Sequence, residues 1–183
     1  DKLVTGVQTC ALPICFLHQG QFEGRKKRIS PHLGRAPNEP TDPELSEFYK
    51  RLLAVLSRAV VRDGTWRLLE PLPAWEGNGT WDAFVACAWQ GAGPERLVAV
   101  VNYAPHQSQC YVRLPFDDLA GAWRLADLTG EAAYDRDGDE LNARGLYLDM
   151  RPWQYHVFDL RSRRVAPRAA PLREELTVGS GSA

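Results

Sequence analysis

A chain of 183 residues, 44% hydrophobic and 25% charged, can bury one core with appendages, but it falls short of the roughly 250 residues that a complete (β/α)₈ barrel needs. Lys and Arg total 22 against 23 Asp and Glu, and a net charge of −1 supplies no basic field for nucleic acid or an acidic membrane surface. No apolar run reaches transmembrane length and the N-terminus lacks a signal-peptide pattern, so neither nucleic acid nor membrane is an expected partner and a cytoplasmic location is expected.

In chain order, the segment Val4 to Ile14, VTGVQTCALPI, fits neither helical nor strand periodicity. It resembles, codon for codon, the translation of a common sequencing adapter, so residues 1–15 are set apart as non-native and authentic sequence is expected from about Phe16. FLHQGQFEGRKKRI then starts apolar and runs into Gly20, Gly24 and a basic stretch, which predicts a strand ending in a polar loop. Beyond a Pro-punctuated loop, Thr41 or Asp42 can cap a helix with Pro43 in its first turn, and Thr41 with Glu44 has capping-box spacing. Leu45, Phe48, Tyr49, Leu52, Leu53 and Leu56 recur on one helical face, and Asp63-Gly64 is expected to close the helix.

From there the period becomes strand-like. Runs at Trp66–Pro71, Trp81–Trp89, Arg96–Tyr103, Cys110–Leu114, Trp123–Leu128, Leu146–Met150 and Tyr155–Leu160 predict an antiparallel β-sandwich of about 90 to 100 residues. Gly130-Glu131 and Asp137-Gly138 are turn signals, and residues 161–183 mix Pro, Ala, charge and Gly/Ser in the manner of a disordered tail. Cys10, Cys15, Cys87 and Cys110 form no CxxC pair and have no His at ligand spacing, which predicts free thiols, with Cys87 and Cys110 acting as small hydrophobes. DRDGDE, with Asp135, Asp137, Asp139 and Glu140, has its Gly misplaced for a calcium loop and is read as a hairpin turn. No metal and no cofactor are expected. Asn78-Gly79-Thr80 matches the glycosylation triplet and is read as a turn.

Several segments together resemble glycoside hydrolase family 13, the α-amylase family. FLHQGQFEGRKKRI resembles the last barrel strand and its rim turn, though His18 to Phe22 lack the aromatic residue and the Glu often found there. HLGRAPNEPTDPELSEFYKRLLAVL resembles the following loop and helix, LVAVVNYAPHQSQCYVRLP a strand pair of the C-terminal sandwich, and RGLYLDMRPWQYHVFDL its closing strand. The resemblance implies a mainly β fold: an antiparallel β-sandwich C-terminal domain, residues 64–160, preceded by a remnant strand and helix of a (β/α)₈ barrel, residues 16–63. It also implies a retaining parent enzyme acting on α-glucan oligosaccharides, with all three of its catalytic acids upstream of this chain.

Within the rim segment, His18, Gln19 and Gln21 are the candidate substrate-binding residues, since an imidazole and two amides can read sugar hydroxyls. Glu23 is expected to pair with Arg25 or Arg28, and no residue is expected to be catalytic, because one carboxylate cannot act as both nucleophile and proton donor. The alternatives are a stand-alone carbohydrate-binding module, kept open by Trp75, Trp81 and Trp89, and a purely structural β-sandwich. Trp89, Trp123 and Trp153 lie in or beside strands and are expected to fill the core.

Overall fold

A computed structural model describes residues 17–27, 32, 34–35 and 37–163. In chain order come helices α1 (Pro43–Leu56) and α2 (Ala59–Asp63), and strands β1 (Thr65–Leu69) and β2 (Pro71–Pro73). A 3₁₀ turn at Trp81–Ala83 leads to β3 (Phe84–Gln90), β4 (Arg96–Asn102), β5 (Ser108–Val112), β6 (Ala122–Asp127) and β7 (Ala133–Asp137). Helix α3 (Gly138–Arg144), β8 (Leu146–Met150) and β9 (Tyr155–Ser162) follow. All the pairings are antiparallel, in a six-stranded sheet ordered β1-β3-β4-β9-β6-β7 and a three-stranded sheet ordered β2-β5-β8.

Period-2 alternation explains the sandwich. In β5 and β8 every second residue is buried, placing Cys110, Val112, Leu146, Leu148 and Met150 in one core with Ala86, Val98, Val100, Leu125, Phe158 and Leu160 of the larger sheet. Each large apolar side chain so buried contributes about 1.5–3 kcal/mol.

The other face of the six-stranded sheet is also apolar across β1, β3, β4 and most of β9, and turns charged at β6 and β7, where Arg124 aligns with Asp135 and Arg161. Register aligns Trp66, Trp89, Leu97 and Asp159 in one row, Leu68, Cys87, Ala99 and Val157 in a second, and Val85, Val101 and Tyr155 in a third. The helical segment covers part of this face, packing Val55 and Val60 on Leu97 with Trp89, Leu128 and Val157 around them. Arg58, between the helices, donates to the buried Asp159 carboxylate at 3.1 Å, and Arg161 donates to the same oxygen at 2.9 Å, so the row's single charge is neutralised. Leu68 remains 67% exposed and Trp66 40%.

Several expectations shift. Leu17 to Gly24 form turns rather than a strand: Gln21 N–H donates to His18 O at 3.1 Å and Arg25 N–H to Gly20 O at 2.9 Å. A strand needs a neighbour for its ladder, and this segment, lacking one, satisfies its backbone locally. Asp42, rather than Thr41, caps α1, accepting from Glu44 N and Leu45 N, both at 3.1 Å. The helix stops at Leu56 because Arg58 is extended and turns toward Asp159, and only the short α2 reaches Asp63-Gly64. The first run breaks at Glu70, sending Pro71–Pro73 to the edge of the smaller sheet, where Pro lacks only an N–H that faces outward.

Gly130-Glu131 does lie in the β6–β7 hairpin, but DRDGDE is no hairpin turn. Asp137 caps α3, accepting from Asp139 N at 2.9 Å and Glu140 N at 3.0 Å, and Gly138 lies so close to the Leu119 backbone that a Cβ there would sit 2.8 Å from it. Strand β9 runs past Leu160 to Ser162, paired with Trp123, so residues 161 and 162 belong to the sheet and not to a tail. Residues 1–15, with Cys10 and Cys15, and residues 164–183 lie outside the described residues, as does Phe16.

Candidate functional site

The three rim residues meet at the start of the described chain but do not form an open site. His18 is exposed, its Nδ1 2.9 Å from Gln19 O, and its backbone N–H donates to Gln21 Oε1 at 3.0 Å. The Gln21 amide donates in turn to Tyr49 Oη at 2.5 Å, and Phe22 meets the Tyr49 ring edge-on at 5.0 Å. Both ends of Gln21 are therefore committed to tying the turn onto α1, while Gln19 is exposed. Gly24, at φ 69°, packs where a Cβ would lie 2.9 Å from Asp42, which lets the turn close against the helix cap.

Of the two partners expected for Glu23, Arg25 forms no ion pair with it and Arg28 lies outside the described residues. The Glu23 backbone oxygen accepts from Asp42 N at 3.0 Å, while its buried Oε2 has no hydrogen-bond partner among the described residues. The backbone N–H groups of Lys26 (2.8 Å) and Lys27 (3.3 Å) donate to the Glu39 carboxylate, and these bonds hold its carboxyl below the usual range.

Elsewhere the acids are structural. Asp127 is the most elaborated: His156 Nδ1 lies 2.6 Å from its Oδ2, while Thr129 N (2.9 Å), Thr129 Oγ1 (2.7 Å) and Val157 N (3.2 Å) donate to Oδ1. Burial pushes this carboxyl up, but the His156, Thr129 and Val157 hydrogen bonds outweigh it and bring the pKa to about 2. The partners fix the tautomer. Gln154 Oε1 accepts from Arg151 N at 2.8 Å, so its Nε2 donates across 3.0 Å to His156 Nε2, and His156 donates from Nδ1 to Asp127. A hydrolytic triad needs a hydroxyl where that Gln amide stands, so the pair staples β9 to the β6–β7 turn and performs no chemistry. Sequence pattern gave no sign of this network, because its two halves, Asp127 with Thr129 and Gln154 with His156 and Val157, lie far apart in the chain.

Asp159 serves Arg58 and Arg161, Asp118 pairs with the half-stacked Arg96, and Asp135 with Arg124 and Arg163. Among the described residues no group of three or more His, Cys, Asp and Glu is placed to hold a metal. Burial pushes the Cys87 thiol up to about 11 and that of Cys110 to about 12, and both are free, consistent with their reading as small hydrophobes. Asn78 is 7% exposed, its oxygen accepting from Thr80 N at 2.8 Å and its amide donating to Gln109 O, which is the turn expected of the triplet.

The tryptophans divide. Trp123 is buried, and Trp81 and Trp89 are half-buried against the two core clusters. Trp75 and Trp153 are exposed, Trp153 by 55%, against the expectation that it fills the core.

Solved structures share this two-sheet fold. No protein-family model and no curated protein sequence matches the chain. The α-amylase of Geobacillus thermoleovorans, in a structure complexed with acarbose, is 18% identical with a TM-score of 0.50, covering 70% of this chain and 25% of its own. A noncanonic maltogenic α-amylase, AmyB of Thermotoga neapolitana, is 11% identical with a TM-score of 0.56, covering 82% of this chain and 33% of its own. The match falls on the C-terminal part of such enzymes, and the chain spans only a quarter to a third of their length. The likeness establishes the β-sandwich fold. No helix among the described residues is long and apolar enough to cross a membrane.

Proposed function

We propose that this chain is the C-terminal, non-catalytic portion of an α-amylase-like glycoside hydrolase, inactive by itself, whose catalytic carboxylates lie in a barrel outside it. The observation that carries this reading is the second apolar face of the six-stranded sheet. A free-standing antiparallel sandwich turns a polar outer face to water, whereas here Trp66, Leu68, Val85, Val101 and Tyr155 are apolar or aromatic, and Leu53 of α1 is 39% exposed as well. Such a face fits a layer packed beneath a further domain.

The parent is read as a retaining enzyme on α-glucans, with its nucleophile and acid/base about 5–5.5 Å apart in that barrel. Residues 16–63 are read as the remains of its last strand, loop and helix, the strand having lost its neighbours. His18 and Gln19 are kept as candidate rim contacts of the intact enzyme; Gln21, bonded at both ends, serves the turn. The free thiols fit a reducing compartment, and a cytoplasmic location belongs to the same reading.

The test is to amplify and read the source DNA across the Phe16 junction. An open frame continuing upstream into barrel strands that end in Asp, Glu and Asp supports the fragment and the adapter origin of residues 1–15. A gene that genuinely begins with VTGVQTCALPI overturns both. A stand-alone carbohydrate module is the second reading, favoured by the exposure of Trp75 and Trp153; the apolar outer face counts against it.

A further inference from the structure

Strand edges expose backbone donors and acceptors, and most edges of this fold are blunted. β2 carries Pro71 and Pro73, β7 carries Asp135, Arg136 and Asp137, and the exposed side of β8 carries Asp149. β1 is different. It borders the six-stranded sheet with β3 as its partner, four of its five residues are exposed, and Trp66 and Leu68 are among them. Every second N–H and C=O along it points away from β3 and meets no other strand among the described residues.

Alongside this edge, where the chain passes from β1 into the smaller sheet, lies a groove of about 480 Å³. Leu69, Leu72 and Leu114 give it apolar walls, and Arg67, Arg113 and Glu70 give it charge. Arg67 and Arg113 are exposed and form no ion pair with any described residue. Two cations against one carboxylate leave a positive charge unmatched. The groove therefore fits an extended segment that carries an acid between apolar side chains and can hydrogen-bond along β1.

The chain itself holds such a segment. Of the two terminal stretches outside the described residues, residues 3–15 contain no charged residue. Within 164–183, Glu174 and Glu175 are the only acids, and they sit in residues 172–178, LREELTV. An extended backbone would put Leu172, Glu174, Leu176 and Val178 on one side and Arg173, Glu175 and Thr177 on the other. Reach allows it. β9 runs past the row that aligns Leu160, Arg96, Gln90 and Thr65, so the chain leaves the sheet at the end where β1 begins. From β9 to the open side of β1 is four strand spacings, roughly 19 Å. The eight residues 164–171 can span up to roughly 26 Å, and Pro167 and Pro171 favour extended backbone before them.

We propose that residues 172–178 add to β1 as a seventh strand of the larger sheet, parallel to β1, with Glu174 between Arg67 and Arg113 and with Leu172 and Leu176 on the leucines of the groove. The proposal does not depend on what lies upstream of Phe16. A second copy of the chain is the rival occupant of this edge, and two-fold pairing centred on β1 would set Arg67 opposite its own copy, a repulsive pair.

Hydrogen–deuterium exchange of the full chain, read by mass spectrometry, tests it. Residues 172–178 should exchange at least about tenfold more slowly than an unstructured peptide of the same sequence. Glu174→Arg should return them to the unstructured rate and speed exchange of residues 65–69, and Arg67→Glu should do the same. The double variant Arg67→Glu/Glu174→Arg, which swaps the two charges, should recover part of the protection. Glu174 lies outside the two packed cores, so its substitution reads docking and not global unfolding. The proposal is overturned if 172–178 exchange at the unstructured rate in the unaltered chain, if Glu174→Arg leaves them protected, or if the double variant recovers nothing. It is equally overturned if protection of 65–69 rises with protein concentration and survives Glu174→Arg, the behaviour of an edge paired between copies.

Discussion

Replacing Asp127 by Asn tests the buried network at its hinge. The Asp127 side chain is 3% exposed and accepts four hydrogen bonds, including one from His156. Its carboxyl sits at about 2 against a usual 3.8, and that displacement is worth about 2.5 kcal/mol at neutral pH by linkage. Because the folded-state pKa is depressed, this contribution is fully present above about pH 5 and disappears as the pH falls through the folded pKa. About half should remain at pH 3 and only a few tenths of a kcal/mol at pH 2. Asn keeps the shape but not the charge, and its amide N–H₂ must face either the His156 Nδ1–H or the Thr129 donors. His156 cannot relieve the clash by changing tautomer, since its Nε2 already accepts from Gln154. The expected loss at pH 7 is about 2–4 kcal/mol, a fall in Tm of roughly 5–15 °C for a domain of this size. Circular-dichroism melts of both proteins from pH 7 to pH 2 check it: the Tm gap should narrow through pH 3. A gap that stays constant across that range would refute the electrostatic account and leave only a packing role.

Three further outcomes follow from single observations. Asp42→Ala should cost about 1 kcal/mol and Thr41→Ala almost nothing, measured by urea denaturation, because only Asp42 serves the α1 N-terminus. Cys87 and Cys110, with thiols raised to about 11 and 12, should resist a thiol reagent at pH 8 in the native protein and react promptly in guanidinium, as peptide mapping by mass spectrometry can show. Leu68→Lys, on the uncovered face, should change stability by less than about 0.5 kcal/mol yet reduce binding of a hydrophobic dye; the same change in a gene carrying an upstream barrel should be markedly destabilising.

What could be read from the sequence follows from how local each determinant is. Strands β3 and β8 were legible from period-2 alternation, β4 and β9 as short strand-like runs bounded by turn signals, and the α1 face because its repeat lies within four residues. The failures are non-local. The α1 stop at Leu56 depends on Arg58 reaching Asp159, a hundred residues on, and Asp137-Gly138 caps a helix instead of turning a hairpin because Gly138 must pass against the Leu119 backbone. The segment Leu17 to Gly24 fails for a different reason: its apolar start suits a strand, but among the described residues no strand pairs with it and its backbone bonds within its own turns. Of the candidate site, the rim residues were legible as a cluster, yet the role of Gln21 turned on Tyr49.

The two faces of the six-stranded sheet also differ in how complete they are. The inner face is complete: Val98, Val100, Leu125 and Leu160 are each wholly buried against the smaller sheet, so the sandwich has its own core and needs no further domain to form one. The outer face is incomplete, half-covered by α1 and α2 and open at Trp66 and Leu68. A core that closes by itself beside a face that does not is what a domain boundary looks like when a chain is divided between folding units. Stability in this chain therefore depends on the inner face, and association depends on the outer one. Substitutions on the first should lower Tm whether or not a barrel is attached, whereas those on the second should matter only when it is.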